Sequence, residues 1–254
     1  MKFMLTAHRG RAIAMLGSAL LLSACGDRQA ASPVTAPGSP TAAKTRVLEA
    51  GASALQTTPP IEALNTYLDG FHFYNGQMDH QMEAHHFCSV LNEDVTQCVI
   101  YDSNARDGKL MGVEYIISAK LFAGLEASEK ALWHSHVHEV KSGQLVAPGI
   151  PDVAEHELMK KIIGTYGKTW HTWHTDQQKT LPLGMPQLMM GFVADGQAAP
   201  GMVTARDHRL GIDSRQKREE REPIPAPLVD PGADAWQHGR VVQIPPQAGG
   251  SKHP

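Results

Sequence analysis

Glu83-Ala84-His85-His86-Phe87-Cys88-Ser89-Val90-Leu91-Asn92-Glu93-Asp94-Val95-Thr96-Gln97-Cys98-Val99-Ile100-Tyr101-Asp102 is the stretch whose reading decides the fold. Turn-forming Asn92-Glu93-Asp94 separates two segments, so Glu83 to Leu91 and Val95 to Asp102 read as two strands of a hairpin. If Leu91 pairs with Val95, Cys88 stands directly opposite Cys98. Opposed residues of an antiparallel pair hold their Cα atoms about 4.5–5.5 Å apart, within disulfide range. A slip of one residue in the turn destroys that pairing, and the other reading is two small buried thiols.

Working outward from the hairpin, Ile61 to Asp69 reads as a short helix with Ile61, Leu64 and Leu68 on one face. Downstream, Ser103 to Gly108 is a polar turn and Leu110 to Ile117 a strand. Ala119 to Leu132 reads as a helix with Glu126, Glu129 and Lys130 outward. A strand to about Val140 follows, then a turn at Gly143. Asp152 is positioned to cap a helix running through Thr165, with Val153, Leu158, Ile162 and Ile163 as its apolar side. Lys168 to Asp176 and Gln187 to Val193 complete the strands. Met189, Met190, Trp170 and Trp173 read as core fillers. Strands outnumber helices and connections are short, so the expected class is α+β, a single domain with a mainly antiparallel sheet and a few short helices.

The flanks carry different information. Lys2, Arg9 and Arg11 precede an apolar run, Ala12 to Leu22, too short to span a bilayer as a mature helix. Leu22-Ser23-Ala24-Cys25 then resembles the lipobox of bacterial lipoproteins, which implies a signal over residues 1–24 and palmitate-type acylation of Cys25. Residues 25–60, rich in Ala, Ser, Thr, Pro and Gly, read as a flexible tether. The globular domain is expected over 61–222 and an irregular Pro/Gly-rich tail over 223–254. Arg215 to Glu222 is a run of mixed charge expected to be solvated. Gly26, rather than an acidic residue, follows the cysteine, which points to the outer membrane facing the periplasm. The expected partner is the membrane, through lipidated Cys25. A net charge of −3 gives no basic surface for nucleic acid.

Ten of the fourteen histidines lie between His72 and His174, and Trp133-His134-Ser135-His136-Val137-His138 is the densest knot. On a strand, His134, His136 and His138 would share a face in steps of roughly 6.5 Å, leaving the outer two roughly 13 Å apart and unable to share one ion. Neutral imidazoles suit Zn, Cu, Fe or Ni, and a centre needs three or four donors. His86, His134, His136 and His171 form the preferred metal set, with His85 as substitute and a divalent transition metal such as Zn as the cofactor.

Glu83-Ala84-His85-His86-Phe87, Leu91-Asn92-Glu93-Asp94, Gln97-Cys98, Tyr101-Asp102, Gly112-Val113-Glu114-Tyr115, Leu132-Trp133-His134-Ser135-His136, Glu139-Val140-Lys141-Ser142-Gly143, Tyr166-Gly167-Lys168 and Leu181-Pro182-Leu183-Gly184 occur in an order that resembles the oil body-associated protein family. The resemblance spans roughly Leu64 to Glu222 and implies a shared fold. It supports His85, His86, His134 and His136 more than His138 or His171, and it implies little chemistry, since the family has no established activity. Trp133-His134-Ser135-His136 also resembles the zinc centre of deubiquitinase-type metalloproteases, but Gln144 and Ala147 stand where that pattern needs Ser and Asp. The expectation is a lipid-anchored cell-envelope lipoprotein acting as a non-catalytic binding or structural module. The alternative is a His-ligated metal-dependent hydrolase with Glu114 or Glu139 as general base.

Overall fold

The computed structural model describes residues 29–177 and 180–245. The signal, Cys25 and the end of the tail lie outside the described residues. Seven strands form one antiparallel sheet: β1 (Thr66–Tyr74), β2 (Gln77–Asn92), β3 (Val95–Tyr101), β4 (Leu110–Ser118), β5 (His134–Ser135), β6 (Thr165–His171) and β7 (Gln187–Met190). They run in the order β4-β3-β2-β1-β7-β6-β5, and β6 also pairs with β4, so six strands close into a barrel. Along the second edge of β6, β7 pairs with Thr169 to His171 and the two residues of β5 with Tyr166 and Gly167. The histidine knot therefore fills a gap in the barrel wall. The α+β reading holds, with the sheet closed on itself.

The hairpin places Cys88 opposite Cys98 as expected, but the expected turn pair of Leu91 with Val95 does not form. Val90 pairs with Thr96 and Cys88 with Cys98, while Leu91 is squeezed out as a bulge before Asn92 pairs with Val95. Cys88 and Cys98 form a disulfide with Cα atoms 4.0 Å apart. Both sulfurs face the barrel interior beside Leu68 and Ile116.

Several expected elements differ. The apolar spacing of Ile61, Leu64 and Leu68 does not make a helix through Asp69: only Pro59–Glu62 is helical (α2), and β1 begins at Thr66. From Leu68 to Tyr74 every residue of β1 is buried. One face looks into the barrel, and the other packs Phe71 and Phe73 against Leu188, Met190, Phe192 and Ala198. A strand buried on both sides loses the alternation by which strands are recognised. The expected helix Ala119 to Leu132 is two short ones, α3 (Ala119–Ala123), capped by the Ser118 side chain, and α4 (Ala127–Lys130). The expected histidine strand stops at Ser135, and Val137–Lys141 forms α5. α6 spans Asp152–Ile162 with Pro151 at the cap position, so Asp152 is its first residue and makes no capping bond. Thr165 already belongs to β6, which ends at His171 rather than Asp176, and β7 ends at Met190 rather than Val193.

The flanks are more structured than their composition suggests. The tether carries an exposed helix, α1 (Ala43–Leu55), and before it Ser32 bonds to Asp102 (2.8 Å) while Val34 is buried. Helices α7 (Pro200–Leu210) and α8 (Ser214–Glu220) follow the barrel. The mixed-charge run is not all solvated, because Arg221 is buried against Glu155 (2.8 Å) and the carbonyls of Val140 and Leu145. Over residues 223–245 the chain is irregular apart from a 3-10 turn at Ala235–His238, yet it packs tightly. Ile224, Ala233 and Ala235 are buried, and the Gln243 side chain accepts from the Leu188 amide of β7 and donates to the carbonyl of Asn75, the residue after β1. No helix among the described residues is long and apolar enough to cross a membrane.

Candidate metal centre inside the barrel

The fold brings polar side chains from four stretches of chain, β1, β2, β4 and residues 134–139, into the barrel. His86 on β2 lies beside Leu68 and Ile100, and Glu114 on β4 lies beside Cys98 and Thr169. His72 comes from β1, His134 from β5, His136 from the residue that follows it, and Glu139 from α5. All six are at least 95 % removed from solvent.

Glu114 is the hub. One oxygen, Oε2, lies 2.8 Å from His86 Nε2 and 3.8 Å from His72 Nε2. The other, Oε1, lies 3.2 Å from His136 Nε2 and 3.6 Å from His134 Nε2. Glu139 Oε2 approaches His134 Nε2 at 4.0 Å. Between these groups and the apolar side chains of Leu68, Ile116, Leu145 and Ile162 is a cavity of about 10 Å³, the size that holds one water-sized particle.

The outer nitrogens decide what the inner ones are. His86 Nδ1 is 3.1 Å from the Ala84 carbonyl, which only accepts, so Nδ1 carries the proton. His136 Nδ1 is 2.8 Å from Thr165 Oγ1. That hydroxyl donates to the Ile162 carbonyl (2.7 Å), so Nδ1 is again the donor. In the neutral rings both Nε2 atoms therefore present lone pairs to a carboxylate. Acceptor facing acceptor is unfavourable unless a cation, a proton or a metal ion, sits between them. An Nδ1–H held by a backbone or hydroxyl oxygen, with Nε2 turned inward, is also how metal-ligating imidazoles are oriented.

Burial sets the charge states around this pair. It brings His134 and His171 down to about 3 and His72 well below the ordinary imidazole range, so these rings are neutral near pH 7. Burial alone would raise Glu114; a proton on the facing Nε2 of His136 or His86, or another cation in its place, outweighs burial and holds the carboxyl well below its usual range. Glu139, lacking such partners, is pushed well above it by burial and by Glu114. Both ring nitrogens of His134, Nδ1 of His72 and Oε2 of Glu139 have no hydrogen-bond partner.

Glycines let the centre press against the backbone. A Cβ at Gly167 would collide with the Glu114 carboxylate and come within 2.8 Å of the His134 ring, and one at Gly191 would come within 2.8 Å of Glu139.

Of the residues singled out from the sequence, His86, His134 and His136 converge on Glu114. His171 does not. Its ring lies beside His72 (centroids 5.5 Å apart) and both its nitrogens lack a hydrogen-bond partner. His85 faces the opposite side of β2, where it meets Asp69 (3.0 Å) and Tyr67 (2.9 Å). His138, carried round by α5, is off the face of His134 and His136. His72 escaped sequence reading because its strand has no alternation; its place two residues after Gly70 and four after Leu68 is the signal that the inner face retains. Glu114 was legible as a candidate base, but not as the group to which the histidines point.

A closed antiparallel barrel with a buried His/Glu centre defines the class of protein. The family model described as protein of unknown function DUF1264 matches residues 58–225. The chain is 42% identical to oil body-associated protein 1A of Zea mays over 213 residues, covering 83% of this chain and 90% of that protein. It is 41% identical to oil body-associated protein 1B of Arabidopsis thaliana (82% and 87%) and 40% identical to oil body-associated protein 2A of Zea mays (83% and 86%). The chain belongs to this family of oil body-associated proteins, whose function is unknown. No solved structure matches it.

Proposed function

We propose that this protein is a lipid-anchored envelope protein whose barrel holds one divalent transition metal ion, such as Zn, in a closed, non-catalytic centre. The observation that carries the reading is the pair of inward Nε2 lone pairs, His86 and His136, aimed at the two oxygens of one buried carboxylate. Metal–ligand bonds of 2.0–2.1 Å in a tetrahedron put neighbouring ligand atoms about 3.3 Å apart. The Nε2 atoms of His86, His136 and His134 lie 2.8, 3.2 and 3.6 Å from the nearer Glu114 oxygen, His86 at Oε2 and the other two at Oε1, around that value. Glu114, His86, His134 and His136 are the ligands, and His72 adjoins them.

Closed sites are the structural kind, while catalytic zinc keeps a position open for water and substrate. A cavity of about 10 Å³ has no room for a substrate, whose sites measure about 300–1,000 Å³. This favours binding over turnover and leaves a hydrolase as the outcome to be tested against. Elemental analysis of untagged protein is expected to find close to one equivalent of metal, lost in His136→Ala and kept in His156→Ala. Less than about a tenth of an equivalent, with no uptake on titration, contradicts the reading, because such a donor set should hold Zn tightly.

The anchor rests on Leu22-Ser23-Ala24-Cys25. Acyl chains on Cys25 would bind the bilayer by about 0.8 kcal/mol per buried CH₂, with the protein on the outer membrane facing the periplasm. The plant relatives are named for oil bodies, which are also lipid surfaces. Cells fed an alkyne palmitate should label the protein, and Cys25→Ser should abolish the label; label retained in that variant contradicts the anchor.

A further inference from the structure

We infer that the outer face of β2–β3–β4 is a binding groove for a single-chain fatty acid, with the acyl chain along the sheet and the carboxylate at Arg106. The groove has a volume of about 400 Å³ and is independent of the metal centre on the other side of the wall. Its floor is Phe87, Val99 and Tyr101, and its sides are Leu110 of β4 with Ile61 and Leu64 around α2.

Three observations point to this occupant. First, large apolar side chains stand in solvent around the groove: Ile61 is 64% and Leu110 47% exposed. Apolar surface of that kind, gathered in a concavity, marks a binding site rather than scattered exposure. Second, the floor is rigid. Phe87 stacks on Tyr67 at 5.2 Å and meets Tyr101 edge-on at 5.8 Å, so an aromatic row lies across three strands. Third, the charged side chain among the residues lining the groove is Arg106. Arg106, in the loop at its end, is exposed, and no carboxylate among the described residues pairs with it. The neighbouring acid Asp102 is already engaged by Ser32 and the Lys109 amide. A guanidinium favours a carboxylate, with which its planar fork pairs in two parallel bonds. The ligand class that matches an open apolar channel ending in a guanidinium with no carboxylate partner among the described residues is a monoanionic single-chain amphiphile.

The test is photo-crosslinking of the purified full chain with a diazirine derivative of palmitic acid, mapped by peptide mass spectrometry. Labels are expected on the peptides holding Phe87, Val99 and Leu110, competed by palmitate. Val99→Glu, a charge on the groove floor, should cut labelling at least tenfold, because an unpaired charge is costly in an apolar site. Arg106→Glu lies in an exposed loop and should leave folding intact while weakening palmitate competition by roughly two- to fivefold, the scale of an exposed ion pair. Palmitate methyl ester should compete more weakly than the acid. Labels scattered over the surface overturn the proposal, as does labelling undiminished by both variants. So do equal competition by acid and ester, and capture of a diazirine phosphatidylcholine in vesicles with no capture of the free acid.

Discussion

Arg206→Met is expected to cost the protein about 3–5 kcal/mol, read as a shift in the urea midpoint. Arg206 is fully buried, and its guanidinium spans several parts of the molecule. It pairs with Asp69 Oδ1 (2.8 Å) on β1 and Asp207 (2.8 Å) on its own helix, bonds the Gln144 carbonyl (2.8 Å) and Ser214 Oγ (3.1 Å), and stacks over Phe71 at 4.8 Å. Removing Arg206 takes the guanidinium from the buried Asp69 carboxylate, which keeps the contacts to His85 and Tyr67, and breaking a buried pair costs that much even where the intact pair contributes little. The pH dependence follows from Asp69. Burial would raise its carboxyl, but the His85 hydrogen bond and the Arg206 charge outweigh it and hold it well below the usual range. A carboxyl depressed on folding contributes stability above its unfolded value near 3.9 and loses it as pH falls through the window below. The gap between wild type and variant should therefore narrow below about pH 4. A gap below 1 kcal/mol at pH 7, or one that widens in acid, contradicts this account.

Glu114→Gln should have opposite effects on the metal-free and metal-bound protein. With zinc, the variant loses a charged ligand, and affinity should fall by more than about 100-fold, beyond the 10–100-fold typical of groups that only support ligands. Wild type at a free zinc concentration 100 times its Kd gains about 2.7 kcal/mol, and the variant at that concentration should gain almost none. Without metal, an amide NH₂ can donate to the Nε2 lone pair of His86 or His136, whose outer nitrogens already donate elsewhere. Metal-free Glu114→Gln is therefore expected to be at least as stable as the metal-free wild type. A strong loss in the metal-free form would instead mean that protons on the imidazoles hold the carboxylate.

The hairpin from Glu83 to Asp102 was readable because a short turn joins its strands, but the turn pair is Asn92 with Val95, and the bulge at Leu91 is what brings Cys88 opposite Cys98. β1 was not, because burial on both faces removed the alternation. The knot misled in another way: histidines at every second residue match a strand, yet α5 begins at Val137 and turns His138 away from its neighbours. Arg206 and Arg221 are buried although arginine is an exposed residue type, since each found carboxylates and carbonyls far along the chain.

By itself, the sequence determined the α+β class, the antiparallel hairpin with Cys88 opposite Cys98, and the candidacy of His86, His134 and His136. These rest on local chemistry: turn residues, side-chain period and residue type. Only the tertiary structure decided that the sheet closes into a barrel, that Glu114 is the point on which those rings converge, and that His72 joins them while His171 stands aside. Those facts depend on which strands meet across long separations in the chain. A closed wall brings side chains from four distant stretches of chain to one axis, and spacing along a single strand carries no record of that distance.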